Sequence, residues 1–155
     1  MENQITATVL YVDDEIANLT SFKASFRRNF TIHIADNAFD ALKILQENKV
    51  HIVISDQRMP GTSGIEFLEK VTKDYANIVR IVLTGYADIE VVIDAINKGR
   101  VYKYLTKPWN EEELKATIES AYTSYLQREK EKAFTETLLE TNKQLEFQVR
   151  QALLS

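Results

Sequence analysis

Asp13, Asp14 and Glu15 follow directly on the apolar run VLYV, and a further acid, Asp56, follows a second such run, HIVIS. Adjacent carboxylates repel, so an acidic triplet by itself reads most simply as a solvated turn capping the next helix. Thr84 and Lys107 change that reading, because they too close apolar stretches, IVLT and VYKYLT. Three carboxylates gathered at one place are penalised by like charge unless a cation sits among them. An all-oxygen ligand set suits hard, divalent Mg²⁺, and Lys107 supplies a second, fixed positive charge. A carboxylate beside Mg²⁺, with a hydroxyl and an ammonium close by, is what acceptance of a phosphoryl group requires. The carboxylate attacks phosphorus, the cations stabilise charge on the equatorial oxygens, and the hydroxyl adds a hydrogen bond. Asp56 is the nucleophile candidate: it stands alone, and Pro60, Gly61 and Gly64 after it force a loop that leaves room above it.

That chemistry needs a scaffold bringing distant residues to one edge. Apolar runs of strand length at 8–12, 31–35, 51–55, 79–84 and 101–105 alternate with stretches of helical period. The helical sets are Leu19, Phe22, Phe26 and Phe30; Ala38, Ala41, Leu42 and Leu45; Ile65, Leu68, Val71 and Tyr75; and Ile89, Val92, Ile93 and Ile96. The alternation predicts an α/β protein with a parallel sheet covered on both faces. TVLYV, HIVIS and IVLT are nearly continuous, as in strands buried on both faces, whereas TIHIA and VYKYL alternate and predict edges. Strand order 2-1-3-4-5, the doubly wound flavodoxin-like (βα)5 arrangement, satisfies this and leaves a crevice between strands one and three at their carboxyl ends. Asp13 and Asp14 just past strand one, Asp56 just past strand three, Thr84 ending strand four and Lys107 beyond strand five all fall at that edge.

After Pro108 the pattern becomes one helix, with Asn110 as N-cap, acids in its first turn, and Leu114, Ile118, Ala121, Tyr122 and Tyr125 on one face. No glycine or proline follows, so an extended C-terminal helix of about 70 Å is expected, at 1.5 Å per residue. Leu138, Asn142, Leu145, Val149 and Ala152 trace a short heptad seam, with Asn142 the kind of polar core residue that sets register. The expected domains are therefore residues 7–126 and a helical linker or coiled-coil stalk at 127–155; a frayed tail is the alternative. The 155 residues are 45% hydrophobic and 27% charged with net charge −4, which argues against a nucleic-acid or anionic-membrane surface. There is no cysteine, hence neither a disulfide framework nor a thiolate metal site, and residues 1–8 lack the pattern of a leader peptide. A cytoplasmic location is expected.

The stretches YVDDE, SDQRMPGTSGIEFL, VLTGYAD and YKYLTKPW, in that order, resemble the signature segments of the receiver domain of two-component response regulators, over about residues 7–126. The resemblance implies Asp56 as phospho-acceptor, Asp14 as a direct Mg²⁺ ligand, Asp13 as a ligand mainly through water, and the Arg58 backbone carbonyl as a third protein ligand. It implies that Lys107 pairs with phosphoryl oxygens, that the Lys107-Pro108 peptide is cis, and that Gly85 leaves the phosphoryl group accessible. Thr84 and Tyr104 would be the switch, the first moving to the phosphate and the second turning inward. A sensor histidine kinase is the implied donor. The implied target is an output domain of the full-length chain or a partner protein, with a homodimer through the C-terminal helix as a further possibility. The domain would not be an enzyme beyond weak hydrolysis of its own acyl phosphate. SDQRMPGTSGIEFL and GRVYKYLTKPWNEEEL are similar to the flavour of receiver attached to HD-type phosphohydrolases and to certain hydrogenase regulators of the enhancer-binding class.

Other residues have plainer readings. His33 and His51 lack partner spacing and read as structural or surface histidines; Glu15 reads as a first-turn helix acid and Trp109 as a packing residue. Arg58 either shields the phosphoryl group from water or is solvated. A haloacid-dehalogenase type phosphatase would use the same residue classes but needs a DxD arrangement after strand one, which VDDEIAN lacks. A pure interaction module has no physical need of three carboxylates.

Overall fold

The computed structural model describes residues 6–154. Five parallel strands, β1 (Thr8–Val12), β2 (Thr31–Ala35), β3 (Ile52–Asp56), β4 (Val79–Thr84) and β5 (Lys103–Thr106), form one sheet in the order β2-β1-β3-β4-β5. The helices are α1 (Ile16–Phe26), α2 (Ala38–Glu47), α3 (Gly64–Asp74), α4 (Ile89–Asn97) and α5 (Glu111–Leu154), with one 3-10 turn at Tyr86–Asp88. The expected flavodoxin-like arrangement is what forms.

Strand polarity explains the order. Every residue of β3 and β4 is buried, and β1 is buried from Val9 onward, whereas β2 and β5 each expose residues. Alternate residues feed two separate cores, because successive side chains of a strand point to opposite faces. Val9, Tyr11, Ile52, Ile54, Ile81 and Leu83 pack with Leu19, Phe22 and Phe26 of α1 and Leu114, Ile118 and Ala121 of α5. Leu10, Val12, Val53 and Val82 pack on the other face with Leu45 of α2, Leu68 and Val71 of α3 and Val92 of α4. At roughly 25 cal/mol per Å² of apolar surface removed from water, these two layers hold the sheet rigid beneath its carboxyl edge.

Several boundaries differ from expectation. β3 begins and ends one residue later than 51–55, so Asp56 is its last residue, paired with Leu83, instead of lying just past it. β5 starts at Lys103; Val101 is buried in the α2/α3/α4-side core ahead of the strand. Phe30 lies beyond α1, in the segment leading to β2, and Tyr75 caps α3. Ile93 is an exposed residue of α4, where Val92 and Ala95 face inward. Glu15 is the N-cap of α1 and not a first-turn acid. Asn110 does cap α5, its Oδ1 accepting from the Glu113 amide at 2.9 Å.

The chain divides into two units, Met1–Tyr125 and Leu126–Ser155. In the second unit the side chains of Phe134, Leu138, Leu145, Phe147 and Val149 are exposed on helix. Among the described residues no helix is long and apolar enough to cross a membrane. The leader reading of 1–8 falls mostly on residues 1–5, outside the described ones.

Candidate metal and phosphoryl site

The pairing of Val12 with Ser55 puts the residues after β1 beside Asp56. One oxygen from each of Asp13, Asp14 and Asp56 lies within 4.8 Å of the others. Lys107, the residue after β5, is anchored by its amide donating to the Thr84 carbonyl at 2.9 Å. Its Nζ reaches Asp56 Oδ1 at 2.7 Å and Asp13 Oδ2 at 3.6 Å. The following peptide bond, Lys107-Pro108, is cis. Asp14, Asp56 and Lys107 line an open cleft of about 400 Å³ together with Arg58, Gly85 and Asp88, with Asp13 buried beneath it.

The three acids are not equivalent. Asp13 is fully buried and Asp14 exposed, with Asp56 nearly buried. Asp13 is held from several sides: Oδ2 accepts from the Tyr11 hydroxyl at 2.6 Å and from Asn18 Nδ2 at 3.0 Å, and Oδ1 accepts from the Glu15 amide at 3.0 Å. Burial pushes the Asp56 carboxyl above its ordinary value; the Lys107 ammonium pulls the other way, and the charges of Asp13 and Asp14 add to the rise. Burial opposes the charge on Lys107, but the hydrogen bond and charge of Asp56, helped by Asp13, hold its ammonium above its ordinary value. Burial, then the Asp13 hydrogen bond and the neighbouring acids, push the Tyr11 phenol far upward, so it is a donor. One ammonium facing three carboxylates leaves the cleft net negative. An all-oxygen, partly dehydrated donor set of that charge fits Mg²⁺.

Thr84 is buried at the end of β4, its hydroxyl donating to the Gly85 carbonyl at 3.1 Å. Tyr104 is half-buried against the α2/α3/α4-side core. A Cβ on Gly85 would meet nothing within 4 Å, so the space beside the cleft is open. Arg58 neither lies free nor reaches Asp56: its Nε and Nη2 donate to Asp88 at 2.7 and 3.3 Å, tying the loop after β3 to the 3-10 turn after β4. His51 is structural, its Nδ1 accepting from the Thr8 amide at 2.9 Å and its ring against Tyr122 and Tyr125. Trp109 packs on Phe22 and Phe26.

Four contributors escaped the sequence reading. Tyr11 and Asn18 hold Asp13, and Asp88 holds Arg58. Gln57, whose Oε1 accepts from the Ile65 amide at 3.0 Å, joins Gly64 in docking the start of α3 under Asp56. Tyr11 was hidden because a tyrosine within an apolar run counts as core. Asp88 lies 30 positions from Arg58, beyond any local pattern.

Residues 9–119 match the family described as response regulator receiver domain. The hydrogenase transcriptional regulatory protein HoxA of Bradyrhizobium diazoefficiens is 38% identical over 130 residues, covering 83% of this chain and 27% of that protein. The HoxA of Cupriavidus necator is 37% identical, over 74% of this chain and 24% of its own. The chain thus spans about a quarter of the length of these curated relatives. The signal receiver domain of an HD domain-containing protein from Pseudomonas fluorescens Pf-5 superposes with a TM-score of 0.76 at 29% identity, covering 84% of this chain and 96% of that one.

Proposed function

The chain belongs to the receiver domain family of response regulators, and from that premise we propose that Asp56 is its phospho-acceptor and that Asp13, Asp14, Asp56 and the Arg58 carbonyl hold Mg²⁺. The observation that carries this reading is the 2.7 Å contact between Lys107 Nζ and Asp56 Oδ1 inside a three-carboxylate cleft. When bound, Mg²⁺ neutralises charge on the transferring phosphoryl oxygens. Asp56 attacks phosphorus; the P–N bond of a phosphohistidine breaks, and the leaving imidazole nitrogen keeps the bonding pair and is protonated. Lys107 passes from carboxylate to phosphoryl oxygen without leaving the cleft, and the loop bounded by Gly61 and Gly64 leaves the approach open. Preorganised cations of this kind are worth roughly 10²- to 10³-fold each.

The donor in this reading is a sensor histidine kinase, and the domain is a signalling element whose only turnover is slow hydrolysis of its own acyl phosphate. The Thr84 hydroxyl leaves the Gly85 carbonyl for the phosphoryl group, and the half-buried Tyr104 turns inward. The new charge, about −1.5 to −2, thereby alters the α4–β5 surface. Residues 127–155 act as the linker or dimerising stalk that hands the change to an output module or a partner, in the cytoplasm. Kinship to HoxA favours a transcriptional regulator as the whole protein, and kinship to the receiver of an HD domain-containing protein favours an HD domain as the output. Borohydride reduction of the phosphorylated chain followed by peptide mapping tests the acceptor: homoserine at position 56 supports it, and reduction at another acid refutes it.

A further inference from the structure

Asn37, Ser63 and Asn110, the N-caps of α2, α3 and α5, each accept through the side chain from the amide three residues on, at 2.8, 3.2 and 2.9 Å. Asp88, the N-cap of α4, makes no such bond. Aspartate is among the best capping residues, and here its carboxylate is taken: Arg58 Nε and Nη2 donate to its two oxygens at 2.7 and 3.3 Å. The backbone of Asp88 differs as well. Its φ is −110° and its ψ 7°, where Asn37 and Ser63 are extended, so α4 is entered through the 3-10 turn Tyr86–Asp88.

Arg58 is the other half of the pair. It lies two residues past Asp56, a span of about 7 Å at most, and lines the same cleft as Asp56 and Lys107, with its side chain 74% exposed. An ion pair so open to water is worth little, and a stronger anion in the cleft outcompetes Asp88. A phosphoryl group on Asp56 is such an anion: it carries about −1.5 to −2 charge and three acceptor oxygens, which a guanidinium fork binds through two parallel bonds. We propose that Arg58 is a further phosphoryl-binding residue held in reserve by Asp88: on phosphorylation its guanidinium passes to the phosphoryl oxygens, and the freed Asp88 carboxylate turns to cap α4 through the amide of Glu90 or Val91. The helix entry changes from a 3-10 turn to a capped, extended residue, and with it the presentation of Val91 and Ile93, which α4 exposes. The phosphoryl charge thereby reaches α4 by a route that uses neither Thr84 nor Tyr104. This inference rests on the reading that Asp56 takes the phosphoryl group.

Amide hydrogen exchange of the full chain, read residue by residue by NMR with and without beryllofluoride and MgCl₂, tests it on wild type, Arg58→Gln and Asp88→Ala. In wild type, protection of the Glu90 or Val91 amide is expected to rise roughly fivefold on addition, the factor that a side-chain cap is typically worth. Arg58→Gln frees Asp88, so protection stands at the higher level before beryllofluoride is added and rises no further. Its beryllofluoride affinity falls roughly tenfold, the order of one charge-assisted hydrogen bond. Asp88→Ala removes the cap, so protection stays low in both conditions while beryllofluoride still binds. A tie that merely holds the turn in place predicts lower protection in both variants. That result, or wild type that binds beryllofluoride with no change at Glu90 and Val91, overturns the exchange of partners alone. Wild type that binds no beryllofluoride with Mg²⁺ overturns the phosphoryl-site reading with it.

Discussion

Gly64 is the first residue of α3 and lies directly against the backbone of Asp56. A Cβ built there would sit 2.4 Å from the Asp56 carbonyl oxygen and 3.0 Å from both the Asp56 carbonyl carbon and Gln57 Cα. All three are main-chain atoms of the central strand and the turn after it, so no flexible side chain can yield. Gly64→Ala therefore requires about 1 Å of separation between α3 and β3, since apolar contacts are optimal near 3.5 to 4 Å. The movement strains the Gly64 amide bond to the Gln57 carbonyl (2.9 Å) and the Ile65 amide bond to Gln57 Oε1 (3.0 Å). Overpacking costs about 1–3 kcal/mol, and each weakened hydrogen bond about 0.5–1.5. Alanine's better helix propensity returns up to about 1 kcal/mol. The expected net loss is about 3 kcal/mol, or about 9 °C in melting midpoint for a chain of this size. Urea unfolding measures it. Because Asp56 moves with its backbone, phosphoryl uptake from acetyl phosphate should fall by roughly 10²-fold, the order of loss for a 1 Å misplacement. Gly85→Ala is the control: its φ is −81° and its Cβ meets nothing, so stability should not change. A Gly64→Ala loss below about 0.5 kcal/mol, inside the range of ordinary surface substitutions, with uptake intact, would refute the reasoning.

Lys107→Gln should retain Mg²⁺ binding, because it removes a competing cation, while phosphoryl uptake falls roughly 10²-fold; rapid-mixing fluorescence and phosphorylation rates measure the two. Since burial raises Asp56 from 3.8, its native form holds the proton more tightly than the unfolded chain does. Its contribution to stability is complete below 3.8 and lost as pH rises through the raised value. Asp56→Asn should therefore melt higher than wild type at pH 7 in EDTA, the gap closing on acidification; a lower midpoint at pH 7 contradicts the sign. Mg²⁺ affinity should weaken over that same fall in pH as the proton competes for Asp56. Removal of 127–155 should leave Mg²⁺-dependent uptake intact and, if the stalk dimerises, convert a dimer to a monomer in light scattering.

Strand polarity was enough to read the topology, because burial on two faces against one is an energetic difference written in the residues themselves. The continuous runs of β1, β3 and β4 lie inside and the alternating β2 and β5 outside. The same rule misplaced β5: Val101 is buried yet precedes the strand, and periodicity records burial, not pairing. It also failed at α4, where IEVVIDAIN is apolar at adjacent positions and cannot say whether Val92 or Ile93 faces inward. The acids, Thr84 and Lys107 were legible because strand ends converge on one edge in this topology. The Tyr11–Asp13–Asn18 network and the Arg58–Asp88 pair were not, since each depends on side-chain directions that only the folded packing fixes.

Intact mass after incubation with acetyl phosphate, with and without Mg²⁺, on the wild-type chain and Asp56→Asn, tests the central claim most directly. The expected result is a gain of about 80 Da, one phosphoryl group, that requires Mg²⁺ and is lost in Asp56→Asn. An adduct that survives the substitution, or a wild-type chain that gains no mass and binds no beryllofluoride with Mg²⁺, would contradict it.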